Sequence, residues 1–372
     1  MGGLAMGGLA LALGLAALLA CGTPGQHAGA LTPQAAAQPP AAPPTSSPAA
    51  PQAASPSPPV TVNVGTLGLA SDAGVYIALE RGYFQEQGLD VRDTRFDAGA
   101  RVIPALAAEQ IDVGGGSPSS GLFNAMARGI GIEIVADRGR AGSDSSYMAF
   151  VLRRDLAESG AVREPADFRG RRVATIANDN ANVIQFDRYM RSGGLTYKDA
   201  DMAVMPGGDM IAALANGSID MAAVAEPIPT RAVAAGAGVR WKGSHEVYPQ
   251  QQAAVLMFSP TFGQEKTEAA RRFMQAYLQG VRAYYDAFFR NRQRDEVVAI
   301  LTRTTSLTDP RLYDEMVPFA VDPDGWVNEQ SLTDDLDWLV REGLVPERPD
   351  LPRFLNRAYR DYALERLGPY VR

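Results

Sequence analysis

Residues Val60 to Gly65 alternate apolar and polar side chains, as a strand with one buried face does. A polar, glycine-containing loop follows over 66–72. A helical stretch over 73–81 then carries Tyr76, Ile77, Leu79 and Glu80 on mixed faces. A short helix over 84–87 closes at Gly88, and Leu89-Asp90-Val91 starts the next strand. Strand, helix, strand in that order predicts a βαβ unit and a parallel sheet. The same reading predicts a helix and strand within 99–113, a helix over 122–128 closed by Gly129, and a strand over 132–136. It predicts a turn into a strand over 167–174, and helices over 183–192 and 210–216. The runs 148–152 and 253–258 are apolar throughout and read as buried strands that cross between two lobes. From Thr267 onward the pattern is mostly helical: 267–290, 293–303, 309–317, 328–341 and 351–366.

One phrase occurs twice. Ala105-Leu106-Ala107-Ala108-Glu109-Gln110-Ile111-Asp112-Val113 returns as Ala213-Leu214-Ala215-Asn216-Gly217-Ser218-Ile219-Asp220-Met221. Each copy reads as a helix end, a tight turn and a short apolar strand. The first strand runs into Gly114-Gly115-Gly116-Ser117-Pro118-Ser119, the second into Ala225-Glu226-Pro227. Ligands of open α/β sheets bind outside the carboxyl ends of the strands, so two such units predict two lobes whose loops share a cleft. The glycine run is no phosphate loop, because no Gly-Lys-Ser/Thr follows it.

Composition narrows the function. The chain has 372 residues and a net charge of −7 without long charged runs, which gives no support for nucleic-acid binding. Lysine occurs at positions 198, 242 and 266, and arginine carries nearly all the positive charge. Cys21 is the single cysteine, so no internal disulfide forms. His27 and His245 are the two histidines, and no His/Cys cluster builds a zinc site. No cofactor is expected.

The first residues read as an address. Leu4 to Ala20 is apolar and rich in small residues, too short and glycine-rich for a spanning helix. It ends Leu18-Leu19-Ala20-Cys21-Gly22, which resembles the bacterial lipobox, whose cysteine is lipidated and becomes the mature amino terminus. No Lys or Arg precedes the apolar run, a departure that an upstream start would explain. On this reading 1–20 are a lipoprotein signal peptide and Cys21 is the lipidation site. Residues 21–59, rich in Pro and Ala, are a disordered tether. At ~3.1 Å per residue its reach is roughly 100 Å. The expected lobes are 60–148, 149–252 and a return with C-terminal helices over 253–372.

The run Gly74-Val75-Tyr76-Ile77-Ala78-Leu79-Glu80-Arg81-Gly82-Tyr83-Phe84, with Gly88-Leu89-Asp90-Val91 after it, resembles the first helix of the NMT1/THI5-like and SsuA-like solute-binding proteins. The repeated Ile-Asp strands, Glu226-Pro227 and Phe168-Arg169-Gly170-Arg171-Arg172-Val173-Ala174 fit the same family. The resemblance covers about residues 60–345. It implies a two-lobed α/β periplasmic-binding-protein fold (type II), each lobe a mainly parallel sheet flanked by helices, with two hinge strands. It also implies an extracytoplasmic receptor serving the permease and ATPase of an ABC importer, which with the lipobox reading is expected to be a monomer lipid-anchored at the cell membrane.

Members of that family bind nitrate, aliphatic sulfonates, thiamine pyrimidine precursors or riboflavin, so the cleft loops decide the ligand. They carry Ser71, Asp72, Ser117, Ser119, Ser143, Asp144, Ser145, Asn178, Asp179, Asn180, Asn182 and Glu226, with Tyr76 and Tyr147 placed to stack and Trp241 or Tyr248 as further candidates. Several carboxylates with no obvious cation disfavour a free sulfonate, with Arg138 and Arg140 the nearest counter-evidence. The expected ligand is a neutral or weakly cationic heterocycle, riboflavin or a thiamine pyrimidine precursor, and the alternative is nitrate or a taurine-like sulfonate. Asp72 can equally serve as a helix N-cap, and one of Asn178 to Asn182 caps the following helix. Tyr284, Tyr285, Phe288 and Phe289 stand at helical spacing and read as core. Two other classes remain. One is a pyrimidine synthase of the THI5 branch, which consumes its own histidine and holds pyridoxal phosphate on a lysine. The other is a membrane-tethered ligand sensor.

Overall fold

The first sheet begins with β1 (Val60–Thr66), β2 (Leu89–Arg95), β3 (Val113–Gly116) and β4 (Glu133–Arg140). The second holds β5 (Met148–Arg153), β6 (Arg172–Thr175), β7 (Asp201–Val204), β8 (Met221–Ala225) and β9 (Gly238–Gly243). A last strand, β10 (Gln252–Phe258), returns to the first sheet. These assignments come from a computed structural model that describes residues 58–371 apart from 98, 144 and 145. Cys21 and the proposed signal and tether lie outside the described residues, as do Asp144 and Ser145.

The strand orders are β2-β1-β3-β10-β4 and β7-β6-β8-β5-β9, so the two sheets have equivalent topology. Parallel pairs join β1 to β2 and β3, and β6 to β7 and β8. The inserted strand runs against its neighbours in each case: β10 against β3 and β4, β5 against β8 and β9. The chain's route explains this direction. It leaves the carboxyl end of β4 at Arg140 and enters β5 at Met148, and it leaves β9 at Gly243 and enters β10 at Gln252. A strand entered from the carboxyl edge must run back against the others. Residues 141–147, at ~3.5 Å each, reach too little for the two edges to lie on opposite sides of the body. The carboxyl edges of the two sheets therefore face each other.

The apolar runs expected to be the crossings are each paired along their length inside one sheet. The chain changes sheet just before them, through 141–147 and 244–251. These two segments touch: the hydroxyls of Ser146 and Ser244 share a hydrogen bond. The apolar runs instead reflect burial on both faces, since every residue of β10 is buried, and of β5 all but Arg153.

Helices α1 (Ala73–Glu80), α2 (Tyr83–Glu86), α3 (Val102–Ala107) and α4 (Ser120–Ala127) come from the first segment. The second sheet carries α5 (Arg154–Glu158), α6 (Ala181–Ser192), α7 (Gly207–Ala215) and α8 (Ile228–Ala234), with α9 (Ser244–Val247) on the way back. After β10 come α10 (Pro260–Gln264), α11 (Thr267–Arg290), α12 (Arg294–Thr304), α13 (Leu312–Glu315), α14 (Glu329–Arg341) and α15 (Ala358–Leu367).

The long helix α11 buries Ala270, Phe273, Met274, Tyr277, Val281 and Tyr284, a stripe at the spacing that aims one face at a core. Tyr284 stacks on Phe319 at 4.2 Å between centroids, as its core reading expected. Glycine lets α11 approach α1: a β-carbon at Gly280 would run into the carbonyl oxygen of Gly74. The helix expected over 351–366 is broken. Leu355 bridges to Ile134 of β4 and the Asn356 N–H donates to the Ile134 carbonyl at 3.0 Å, so the chain spends these residues extending a sheet edge. The helix expected over 309–317 shrinks to α13.

Candidate functional site

The repeated phrase performs the same task in both sheets. The N–H of Asp112 donates to the Asn63 carbonyl of β1 at 2.8 Å, and Asp112 Oδ2 accepts the Asn63 N–H at 2.8 Å. Asp220 repeats this with Arg172 of β6, at 2.8 and 3.0 Å. Each carboxylate also meets a cation at 2.9 Å, Lys266 for Asp112 and Arg153 for Asp220. The two aspartates clamp β3 and β8 to their neighbours and so set where the following loops emerge.

Four loops emerge at the facing carboxyl edges. In the loop from β1 to α1, Asp72 Oδ2 accepts the N–H groups of Leu67 and Leu69 at 3.0 Å each, and Oδ1 pairs with Arg138 of β4. Both partners are buried, with side chains 1% and 3% exposed. Ser71 is partly exposed on the short 3-10 turn beside it. Tyr76 is buried, and its hydroxyl donates to Thr66 Oγ1 at 2.9 Å and accepts from Arg95 at 3.2 Å. Burial pushes that hydroxyl's pKa up. Asp72 makes no side-chain cap bond to α1.

In the loop from β3 to α4, the glycines meet a side chain of the chain itself. A β-carbon on Gly115 would run into Arg138, so glycine here makes room for the arginine on its way to Asp72. Ser117 Oγ is buried without a hydrogen-bond partner. Ser119 stands at the N-cap of α4 but its side chain makes no cap bond.

In the loop from β6 to α6, Asn180 caps α6 by accepting the Val183 N–H at 3.1 Å. The amide nitrogens of Asn180 and Asn182 are buried without partners, and Asn178 is exposed. Asp179 turns away from its own helix: its Oδ2 accepts the Ser120 N–H at 3.1 Å and the Ser120 hydroxyl. This contact joins the 117–120 and 178–182 loops across the two lobes. In the loop from β8 to α8, Glu226 pairs with Arg240 of β9 and accepts the Thr230 N–H at 3.2 Å. It also accepts the Val317 N–H at 3.4 Å, from a segment whose Met316 and Phe319 pack in the first core. The Glu226 N–H donates to the carbonyl of Tyr147, whose ring lies edge-on to Phe319 with centroids 6.1 Å apart. Burial raises the Tyr147 pKa.

A second connection runs through α14. Trp338 Nε1 donates to the buried Asp187 of α6 at 2.8 Å. Asp335 accepts the Gln251 amide at 3.1 and 3.2 Å, and Gln251 Oε1 accepts from Gln185 of α6 at 2.6 Å. The Asp335 pKa is pushed up to about 8, burial being the largest cause. Tyr248, a stacking candidate, belongs to this network: its ring carries the Arg188 guanidinium at 4.1 Å and its hydroxyl donates to Asp334 at 3.3 Å. Trp241 packs against Phe168 and Tyr189 in the second lobe's core, with ring centroids 5.5 and 5.4 Å away. Sequence reading missed Arg240, Gln185, Gln251 and Asp335, for no motif marks them.

A sequence profile of the NMT1-like family matches residues 55–302. The chain belongs to the NMT1-like family. It is 26% identical over 270 residues to the putative aliphatic sulfonates-binding protein of Escherichia coli (strain K12), spanning 69% of this chain and 76% of that protein. Among solved structures it is similar to the periplasmic aliphatic sulphonate binding protein SsuA of Escherichia coli, with a TM-score of 0.65 at 19% identity over 80% of this chain and 97% of that one. The periplasmic nitrate-binding protein NrtA of Synechocystis PCC 6803 superposes with a TM-score of 0.65 at 16% identity, over 83% of this chain and 89% of that one. The desulfurization enzyme DSZB shares the fold with a TM-score of 0.58 at 12% identity, over 83% and 99% of the two chains. The fold is that of the periplasmic binding proteins, with two lobes.

For this NMT1-like chain the charge argument made from sequence needs correction. Asp72 and Glu226 are not carboxylates without a cation, since Arg138 and Arg240 neutralise them. Nor is Arg140 free: it pairs with Asp137 at 3.1 Å and Asp322 at 2.9 Å. Asp179 is the candidate-loop carboxylate that meets no arginine or lysine among the described residues. None of the described helices is long and apolar enough to cross a membrane.

Proposed function

We propose that the chain is the extracytoplasmic solute-binding component of an ABC importer. The ligand is captured between the 117–120 and 178–182 loops, with Tyr147 and Glu226 on the adjoining edge. One observation carries this reading. Ser117 Oγ, Asn180 Nδ2 and Asn182 Nδ2 are buried without partners, on the two loops, one from each lobe, that the Ser120–Asp179 contact joins. Buried polar groups left unpaired are costly, so such a group of donors is expected to serve an acceptor from outside the chain. A ligand touching both lobes binds the closed arrangement better and shifts the population toward it.

The preferred ligand is a neutral heterocycle bearing carbonyl or ring-nitrogen acceptors, of the riboflavin or thiamine-pyrimidine kind. An aliphatic sulfonate or nitrate is the second reading. The names of the related proteins favour it, and the same three donors suit sulfonate oxygens. An enzymatic role on a lysine draws no support from the site. Lys198, Lys242 and Lys266 each pair with a carboxylate: Glu342, Glu246 and Asp112.

A thermal-shift screen of the full chain against riboflavin, thiamine pyrimidines, taurine, alkanesulfonates and nitrate tests the reading. A binder at 100 times its Kd adds about 2.7 kcal/mol of stability. A shift with a flavin or pyrimidine supports the first reading, and a shift confined to the anions the second. The scattering profile should contract with the same ligand, and one that does not contract would sink lobe closure. Membrane attachment is proposed to run through lipid on Cys21; Cys21→Ala protein that still pellets with membranes overturns that.

A further inference from the structure

The loops that follow the equivalent strands β1 and β6 each carry an aspartate, and the two are used differently. Asp72 folds back on its own loop and on Arg138. Asp179 crosses to the other lobe and sits at the first turn of α4, a helix of eight residues whose N-cap side chain makes no cap bond. The first turn of a helix leaves N–H groups unpaired and bears partial positive charge, which is why free oxyanions settle there. Here that position holds a carboxylate belonging to the chain.

We propose that Asp179 sets the charge selectivity of the cleft. Its carboxylate is the resident anion of α4, so the ligand group that docks beside it is neutral or positively charged and is held through Ser117, Asn180 and Asn182. Asn180 and Asn182 are 8% and 6% exposed, with amide nitrogens that find no partner in the protein. Two amides and a hydroxyl offer donors to an acceptor oxygen or ring nitrogen. The remaining lone pairs of Asp179 repel a second oxyanion and accept an N–H. The proposal rests on the solute-binding reading and narrows its ligand to one that carries an acceptor beside an N–H or cationic group.

The test uses ethanesulfonate as a probe of the oxyanion position, titrated into the purified full chain and into Asp179→Asn. The substitution keeps an oxygen that accepts from Ser120 and removes the charge. Ethanesulfonate affinity is expected to rise on the order of tenfold or more in Asp179→Asn, the scale of removing one like charge beside an ion. Equal or weaker affinity in the variant, including no binding by either protein, overturns the proposal. Asp179→Ser, read the same way, decides the matter if the asparagine variant does not melt cooperatively. The solute-binding reading fails differently: no compound in the wider screen shifts wild-type melting, whatever Asp179→Asn does with ethanesulfonate.

Discussion

The two lobes share a strand order and a repeated Ile-Asp clamp, yet they dispose of their edge carboxylates in opposite ways. The first lobe satisfies Asp72 inside itself, with two N–H groups and a buried arginine. The second pairs Glu226 with Arg240 of its own sheet but lets it accept the Val317 N–H as well, and it sends Asp179 to Ser120 of the other lobe. Equivalent topology therefore fixes where the loops stand and leaves open whether their charges serve folding or contact with the other lobe.

Breaking the internal lock should have the largest effect. Asp72→Asn strands Arg138 in a buried site and is expected to cost about 3–5 kcal/mol, read as a fall in melting temperature. A loss under 1 kcal/mol would mean that Arg138 finds another partner and that the two lobes are more alike than described. Next comes Gly280→Ala, which pushes α11 off Gly74 and should cost about 1–3 kcal/mol in denaturant titrations. A neutral result would place the backing of the first lobe elsewhere.

The α14 network offers a pH test of the link between lobes. Folded Asp335 keeps its proton up to about pH 8, whereas the unfolded carboxyl ionises near its ordinary value of ~3.9. Between those limits the folded chain binds more protons, so stability is fully present at low pH and falls as pH rises toward 8. The slope is at most about 1.4 kcal/mol per pH unit. Asp334, Tyr248 and Arg188 face the same group from α14, the second crossing and α6. Asp335→Asn should flatten the slope between pH 6 and 8; an unchanged slope would show that Asp335 is ionised throughout. The smallest effect belongs to Glu226→Gln. Arg240 is 27% exposed and can turn to water, so about 1 kcal/mol is expected, with a measurable change in the scattering profile if the Val317 contact helps hold the lobes together.

Much of the fold was legible because it follows local rules. The alternation of 60–65, the glycine stops at 88 and 129, and the apolar runs at 148–152 and 253–258 each report burial or backbone conformation of their own residues. The nine-residue echo was legible for the same reason, since its aspartates bond to the neighbouring strand. The charge pairing was not. Asp72 and Arg138 stand far apart in the chain and meet because β10 inserts between β3 and β4 and Gly115 leaves space above it. β7 and β9 escaped notice because one is short and half-exposed and the other carries Arg240 and Lys242 amid its apolar residues. Among the candidate residues, Ser117, Asn180 and Asn182 keep buried polar atoms without partners on the two loops that Asp179 and Ser120 join, while Tyr76 is turned to Thr66 and Arg95.

The place of β10 has a consequence for the order in which the molecule can be built. All strands of the second sheet come from one unbroken stretch, Met148 to Gly243, so that sheet can close as soon as this stretch has left the ribosome. The first sheet cannot. Its strands β3 and β4 have no direct pairing with each other and must wait for Gln252–Phe258 to arrive between them. The half of the protein synthesised first is thus the half completed last, and its early strands remain open edges until the other lobe already exists.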